Sequence, residues 1–367
     1  MKIKPSKKLN QAIVEVNPRT QPRVAVPLFA VAQKLPAVRL KNILATTDFS
    51  ASSQAGVRCA VALAKKLDAA IELVYVVEPV VRFAGSENIL LALDDSAVIE
   101  QAGKDLDKIA QRQSKPDFPV TSVVKVGKPF HEIATLARDR QTDLIVIATR
   151  GHTGLKRVLL GSTAECVVRH ASCPVLTVPS QIPDERVNGA SAFRLKKIVV
   201  PIDFSETSAQ ALPYAAALAG QFNAEIILLH VVEPLLIPAG LGYMPSGIRD
   251  TDRNSEQIAK TNLHCVSEEF LGESDCARVM VRTGAPHREI TAAAKDLGAD
   301  LIVLTTHGYT GLKHVLLGST AERVVRHADC PVMVVRRTER GVHAASTHKP
   351  QAGRHFMRHC PSEIEAR

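Results

Sequence analysis

Tryptophan is absent from this chain of 367 residues, and tyrosine occurs only four times. Because nucleic-acid bases stack on aromatic side chains, this scarcity disfavours a protein that reads bases. No apolar run approaches the ~18 residues that a membrane-spanning helix needs, so we expect no membrane association. Lysines near the N-terminus are not followed by an apolar stretch with a small-residue cleavage site, a pattern that does not indicate secretion.

Cysteine is also sparse, and its distribution argues against a disulfide framework. The seven cysteines are an odd number and are spread widely along the chain. This usage is typical of a reducing compartment, so we expect a cytoplasmic protein. A P-loop of the GxxxxGK(S/T) type is missing from the sequence, and hydrolysis of the motor or kinase kind therefore lacks its usual motif.

The chain repeats itself. Residues 151–178 and 308–335 agree at 22 of 28 positions, and Thr47-Asp48-Phe49-Ser50 pairs with Ile202-Asp203-Phe204-Ser205 upstream. A repeat of this length indicates one domain of roughly 140 residues written twice. The expected organisation is a basic, flexible N-terminal extension (1–38), a first domain (39–179), a linker (180–194), a second domain (195–336) and a disordered, histidine-containing C-terminal tail (337–367).

Once the repeated units are marked off, the formal charge of +9 can be assigned to parts of the chain. Residues 1–38 carry +6 and residues 336–367 carry +4, which leaves −1 for everything between them. A basic chain can attract nucleic acid or a membrane surface. Here the basic balance belongs to the terminal segments, so it does not argue against a near-neutral core that binds a small ligand.

Short apolar runs alternate with helix-like stretches in each unit. Asn42–Thr46 has the length and β-branched content of a strand, whereas Ala51–Leu67 and residues 205–222 have helical length. This alternation predicts an α/β fold of two tandem doubly wound, Rossmann-like domains, each with a five-stranded parallel sheet. Residues 79–97 are predicted to be irregular, and residues 234–254, rich in Pro and Gly, are predicted to form a mobile loop.

A glycine-rich segment follows the fourth predicted strand of each unit. It contains Gly151 and Gly161-Ser162 in the first unit, and Gly308 and Gly318-Ser319 in the second. A glycine and a hydroxyl residue at a helix start present backbone N–H groups to an anion such as phosphate. Glu165 lies three residues after Ser162, so a capping box explains the same pattern. The spacing alone does not distinguish phosphate binding from helix capping.

An aspartate comes just past the first predicted strand of each unit, Asp48 in one and Asp203 in the other. Ligands of open parallel sheets bind at this carboxyl edge, near the topological switch point. A carboxylate there can accept hydrogen bonds from ribose hydroxyls or an exocyclic amine, and it can equally cap the helix that follows. The convergence of the aspartate and the glycine-rich segment on one sheet edge favours a binding site.

The pattern Gly-x9-Gly-Ser followed by Thr-Ala-Glu-x-Val-Val-Arg-His-Ala-x-Cys-Pro-Val resembles the universal stress protein family, here in tandem over residues 39–179 and 195–336. That family's nucleotide motif is Gly-x2-Gly-x9-Gly-(Ser/Thr). The last two glycines are present in both units. The first is replaced by Ala148 in one unit and by Thr305 in the other.

The resemblance implies a stress-response module that binds an adenine nucleotide: ATP, with AMP or ADP as alternatives, and no metal beyond Mg²⁺ carried by the nucleotide. It implies that the aspartates contact the adenosine and that Val76 and Val231 flank the adenine. The implied site residues are Thr46, Thr47, Asp48, Val76, Ala148, Gly151, Gly161, Ser162 and Thr163 in the first unit, and Pro201, Ile202, Asp203, Val231, Thr305, Gly308, Gly318, Ser319 and Thr320 in the second. It also implies that the units associate through their last strands, within one chain or in a homodimer.

We predict no catalytic residues, because no serine or cysteine nucleophile is paired with a base in the pattern. Cys166 and His170 are spaced i, i+4, but Arg323 replaces Cys166 in the second unit and a full ligand set is missing, so we predict no metal site. The alternatives are a slow ATPase or nucleotidyl-transfer enzyme, a stress protein that acts through protein contacts without nucleotide, and salt-dependent binding of nucleic acid by the tails.

Overall fold

The structure is a computed structural model that describes residues 38–79, 81–84, 89–92, 96–149, 160–180, 194–234, 248–271, 277–306 and 317–336. The predictions for the terminal segments (1–38 and 337–367) fall outside these residues apart from Val38, and the linker is described only at its two ends.

The first domain alternates strands and helices, as predicted. Its elements are β1 (Asn42–Thr46), α1 (Ala51–Leu67), β2 (Ala70–Val77), β3 (Val81–Ala84), β4 (Ile89–Ala92), α2 (Ser96–Gln113), β5 (Val120–Val126), α3 (Pro129–Asp139), β6 (Leu144–Ala148), α4 (Ser162–His170) and β7 (Val175–Val178). The prediction of an irregular segment over residues 79–97 is wrong in part. Two four-residue runs, β3 and β4, pair with each other as an antiparallel ribbon instead of joining the main sheet.

The second domain follows the same plan with two departures from the prediction. Its elements are β8 (Lys197–Pro201), α5 (Glu206–Ala209), α6 (Leu212–Phe222), β9 (Glu225–Val232), α7 (Ile248–Leu271), β10 (Ala277–Thr283), α8 (Pro286–Leu297), β11 (Leu301–Thr305), α9 (Ser319–His327) and β12 (Val332–Val335). The helix predicted over 205–222 is broken into α5 and α6. Pro213 stands at the start of α6, where the first domain has Arg58, and its ring removes the backbone N–H that would continue the helix.

Helix α7 begins at Ile248, inside the segment predicted to be a loop (234–254). Residues 248–254 are polar apart from Ile248 and carry no helical spacing of apolar side chains, so sequence periodicity does not reveal them. The strongly periodic part of α7 follows them, and its Leu263 and Val266 are buried in the core. The first turns therefore extend a helix that packing further along the chain holds in place.

All ten main strands form one sheet, in the order β10-β9-β8-β11-β12-β7-β6-β1-β2-β5. Each domain contributes five parallel strands, which confirms the predicted fold class. The domains join where β12 lies antiparallel to β7, with Leu176 opposite Met333. The predicted pairing through the last strands thus occurs within the chain.

Helices cover both faces of this sheet. One apolar cluster lies between the strands and helices α1, α2, α6 and α7, and a second lies under α3, α4, α8 and α9. Both clusters run through the two domains, because the central strands β7 and β12 are buried along their whole length. None of the described helices combines the length and the apolar character that a membrane crossing requires.

Candidate functional site

The strand order places a topological switch point in each domain. β1 pairs with β2 on one side and with β6 on the other, and β8 pairs likewise with β9 and β11. The chain therefore leaves the first strand of each domain toward one side and later returns on the other. A crevice opens between the two connections at the carboxyl ends of these strands, where ligands of open α/β sheets bind.

A turn built on an aspartate lies at this edge in both domains. In the second domain, Asp203 Oδ1 accepts hydrogen bonds from Ser205 N (3.0 Å) and Ser205 Oγ (2.6 Å). Ser205 Oγ in turn accepts from the backbone N–H of Ser208 and caps α5. Asp48 and Ser50 repeat the arrangement at the start of α1. The serine is therefore the helix cap, and the aspartate orients the serine from the sheet edge instead of capping the helix itself.

The phenylalanine after each aspartate adopts a left-handed backbone conformation, with φ of 65° at Phe49 and 61° at Phe204. Bulky residues rarely adopt it, so it marks strain held by its surroundings. Phe204 stacks on His230 with ring centroids 4.4 Å apart, and Phe49 stacks on Tyr75 at 4.5 Å. The sequence analysis did not single out these phenylalanines, although the repeated Asp-Phe-Ser sequence was the available signal.

His230 is a half-buried ring that the sequence analysis also missed. Its Nδ1 lies 2.7 Å from the carbonyl oxygen of Ile202, so Nδ1 carries the proton and donates it. Burial lowers the pKa of His230, and the hydrogen bond to Ile202 and the charge of Asp203 oppose that shift in part. The neutral ring therefore offers Nε2 as an acceptor at the edge of the site.

The helix that follows each glycine-rich segment begins without a side-chain cap. Gly161 and Gly318 occupy the N-cap positions of α4 and α9, and neither position makes a side-chain capping bond. The capping box is not formed, because Ser162 is the first residue of the helix and not its N-cap, and Glu165 pairs with Arg169 at 2.7 Å. The equivalent pair in the second domain lies 2.6 Å apart. The first-turn N–H groups of α4 and α9 are thus oriented to attract an anion.

The two ends of each glycine-rich segment lie side by side. Gly161 N donates to Thr149 O at 2.8 Å, and Gly318 N donates to Thr306 O at 2.7 Å. The start of α4 or α9 is thereby tied to the end of β6 or β11. Gly151 and Gly308, the other motif glycines, lie outside the described residues.

A cleft of about 810 Å³ lies at this edge of the second domain. Its volume is within the range of ~300–1,000 Å³ that small-molecule sites occupy. The predicted site residues that line it come from four separate stretches of chain and are Pro201, Ile202, Asp203, Val231, Thr305, Gly318, Ser319 and Thr320. It is also lined by residues that the sequence analysis did not assign to the site, among them Phe204, His230, Asn262, His287 and Arg323.

The first domain places its predicted residues in the same relation to the sheet. Thr46, Thr47 and Asp48 follow β1, Val76 is near the end of β2, Ala148 ends β6, and Gly161, Ser162 and Thr163 begin α4. Of these, Thr46, Thr47 and Ala148 are buried, Ser162 is exposed and the others are half-buried. Thr47 Oγ1 accepts from Phe49 N at 3.0 Å, so this hydroxyl supports the strained turn.

Among the described residues, no group of three or more His, Cys, Asp and Glu side chains is arranged to hold a metal ion. His170 Nδ1 lies 2.9 Å from the carbonyl oxygen of Cys166, within its own helix. This bond uses the main chain of Cys166 and not its thiol.

The sequence model of the universal stress protein family matches residues 39–179 and 194–336. A universal stress protein of Mycolicibacterium smegmatis is 30% identical over 306 residues, which cover 80% of this chain and 97% of that protein. Universal stress protein MJ0577 of Methanocaldococcus jannaschii is 34% identical over 154 residues, or 39% of this chain and 95% of its own. The crystal structure of a universal stress protein from Archaeoglobus fulgidus superposes with a TM-score of 0.58 at 22% identity, covering 83% of this chain and 98% of that one.

Proposed function

Because this chain belongs to the universal stress protein family, we propose that each domain binds an adenine nucleotide, ATP foremost, as a regulatory ligand. The observation that carries the proposal is the cleft of the second domain. It brings Asp203, Val231 and the start of α9 together from stretches of chain that are far apart in sequence. The corresponding residues of the first domain stand at the ends of the corresponding strands.

Each part of the cleft suits one part of a nucleotide. The Asp203 carboxylate suits ribose hydroxyls or an exocyclic amine, both of which donate hydrogen bonds. Val231 supplies apolar surface for the flat face of a base. The N–H groups at Ser319 and Thr320, at the positive end of the α9 dipole, suit the phosphates. These three contacts define the orientation that we propose, with the base over the end of β9.

The first motif glycine is replaced in both domains, by Ala148 and by Thr305. Thr305 is half-buried and is part of the cleft lining, yet about 810 Å³ of space remains beside it. We therefore propose that the added side chain narrows the site without closing it. Binding in both domains is part of the proposal.

We further propose that the bound nucleotide is held and not turned over. The sequence pairs no serine or cysteine nucleophile with a base, and a P-loop is missing from it. Steady-state ATP turnover by the purified chain should not exceed that of a buffer control. Turnover abolished by Asp203→Ala would instead favour the slow-ATPase alternative. The odd number of cysteines and their wide spread along the chain are typical of a reducing compartment, and we propose that the protein acts in the cytoplasm.

The test is to identify the bound ligand and then to measure its affinity. The purified chain is heated, the released material is analysed by mass spectrometry, and the emptied protein is titrated with ATP by calorimetry. We expect an adenine nucleotide in the released fraction and an affinity that falls at least about tenfold when Asp48 and Asp203 are both changed to alanine. Glu206→Ala is the matched control, because this exposed carboxylate lies three residues after Asp203 and outside the cleft lining. Protein that releases no nucleotide and shows no heat of ATP binding would contradict the proposal.

A further inference from the structure

The two domains differ in charge at the place where α8 and α9 approach the cleft. His287, at the start of α8, stands where the first domain has Phe130, and Arg323 on α9 stands where it has Cys166. Both His287 and Arg323 line the cleft of the second domain. In the first domain Phe130 packs instead against the ring of His170, with centroids 5.9 Å apart. The first domain thus has an aromatic ring and a thiol at the two places where the second domain has two basic side chains.

The basic groups around His287 act on one another. Burial lowers the pKa of His287, and the charges of Arg323, Arg288 and His327 lower it further. Arg288 is on the same helix as His287, and the other two come from α9, which packs against α8. The cluster therefore carries excess positive potential, and an anion placed among these groups would relieve it.

The glutamates on α8 and α9 form ion pairs with arginines other than Arg323. Glu322 pairs with Arg326 at 2.6 Å, and Glu289 contacts Arg282 at 3.7 Å. The carboxylates that line the cleft, Asp203 and Glu233, follow β8 and β9. Within the described part of the chain, Arg323 forms no ion pair. Its guanidinium is exposed and available to a ligand in the cleft.

Arg323 also lies on the side of α9 that the phosphates would approach. It is four residues after Ser319, so the two side chains share one face of the helix. The first-turn N–H groups and the guanidinium then attract the same anion. A guanidinium can bind two phosphate oxygens at once, and such charge-assisted bonds are stronger than neutral ones.

We propose that the second domain selects its ligand by phosphate number, with Arg323 and His287 favouring a nucleoside triphosphate over the monophosphate, and that this preference grows as His287 becomes protonated. The first domain, with Cys166 and Phe130 at these places, discriminates less. The two domains would then respond to different nucleotide states. The inference rests on the proposed function.

The experiment compares ATP with AMP, site by site, in the full chain. Asp48→Ala weakens the first site so that the second dominates the titration, and Asp203→Ala does the reverse. In the Asp48→Ala chain, Arg323→Cys should lower the ratio of ATP to AMP affinity about tenfold, since one charge-assisted contact is lost. In the Asp203→Ala chain, the reciprocal Cys166→Arg should raise that ratio. The substituted residues are those that the other domain carries at the same place, so we expect both folds to accept them.

The pH arm tests His287. The ratio of ATP to AMP affinity of the Asp48→Ala chain, measured from pH 8 to pH 5.5, should rise more steeply with His287 present than after His287→Phe. Comparison of the two chains removes the titration of the nucleotides themselves. An affinity ratio unchanged by both Arg323→Cys and Cys166→Arg overturns this inference while leaving nucleotide binding standing. Failure of ATP and AMP to bind either single-site chain or the unsubstituted chain overturns both proposals.

Discussion

Thr177 of the first domain donates a hydrogen bond from Oγ1 to the carbonyl oxygen of Val332 in the second domain, at 3.1 Å. The two residues are register partners where β7 and β12 meet, and both are buried. A side chain thus adds to the main-chain ladder at the point where two domains become one sheet. The bond links residues 155 positions apart, close to the length of the repeat itself.

Thr177→Val tests how far this junction stabilises the chain. The substitution keeps the branched shape and removes the hydroxyl, which leaves the Val332 carbonyl without one of its donors in an apolar layer. We expect the free energy of unfolding to fall by about 1–3 kcal/mol. The measurement is the midpoint of urea unfolding at an unchanged slope with denaturant.

Thr121→Val is the control for that prediction. Thr121 makes the same kind of bond, to the carbonyl oxygen of Ile71 at 3.2 Å, but it lies on the outer strand β5 and its side chain is exposed. Water can replace the lost donor there, so we expect a change within about 0.5 kcal/mol. Equal effects of the two substitutions would show that the domain junction has no special role.

Much of the fold could be predicted because the buried strands carry their own signal. Asn42–Thr46 matches the predicted bounds to the residue, since four of its five residues are buried and a strand covered on both faces carries a nearly continuous apolar run. The meeting of Asp203 with Gly318 at one edge also followed from topology, because the carboxyl ends of parallel strands lie together.

Which strand edges pair with each other could not be predicted in the same way. The apolar runs of β7 and β12 suit any partner edge, so the sequence left pairing within the chain and pairing between two chains equally open. The four-residue runs of β3 and β4 are too short for periodicity to separate them from irregular structure, and the polar start of α7 has no helical spacing of apolar side chains. The basic residues His287 and Arg323 have no periodic signal, and only the mismatches between the two repeats pointed to them.

Gly284→Ala should destabilise the second domain. Gly284 has φ of +150°, a conformation that residues with a side chain rarely adopt, and a Cβ there would lie 2.9 Å from Glu289 Cγ. We expect a loss of about 1–3 kcal/mol in the free energy of unfolding. Gly220→Ala is the matched control, because Gly220 lies inside α6 with open space around its Cβ position. That change should stabilise by about 0.5–1 kcal/mol, and a loss there would contradict the argument.

Asp203→Asn separates the structural part of the aspartate from its part in binding. The amide retains an oxygen that can accept from Ser205 N and Oγ, so the turn before α5 should survive with a stability change within about 0.5 kcal/mol. The negative charge is lost, and charge-assisted hydrogen bonds to a nucleotide become neutral ones. We expect ATP affinity to fall about tenfold by calorimetry while the thermal midpoint of the ligand-free chain stays nearly constant. Unchanged affinity would remove Asp203 from the proposed site.

His230→Tyr should make the ligand-free chain less sensitive to acid. Burial holds the pKa of His230 in the folded chain below its ordinary value of 6.5, so the unfolded chain binds more protons between the folded-state pKa and 6.5. The stability that neutral His230 contributes is complete above pH 6.5 and is lost as the pH falls through 6.5 toward the folded-state pKa. The phenol that replaces the imidazole in His230→Tyr has an ordinary pKa of about 10, well above this window. The first domain carries a tyrosine, Tyr75, at the same place.

The measurement for that substitution is the free energy of unfolding in urea at intervals from pH 7.5 to pH 5.5. The decrease over this range should be smaller for His230→Tyr than for the unsubstituted chain, because one proton-linked loss has been removed. The reciprocal Tyr75→His places an imidazole against Phe49, as His230 lies against Phe204, and should make the decrease larger. Parallel pH profiles for all three chains would contradict this prediction. They would mean that the imidazole beside the strained phenylalanine has the same pKa in the folded and the unfolded chain, so that burial does not lower it.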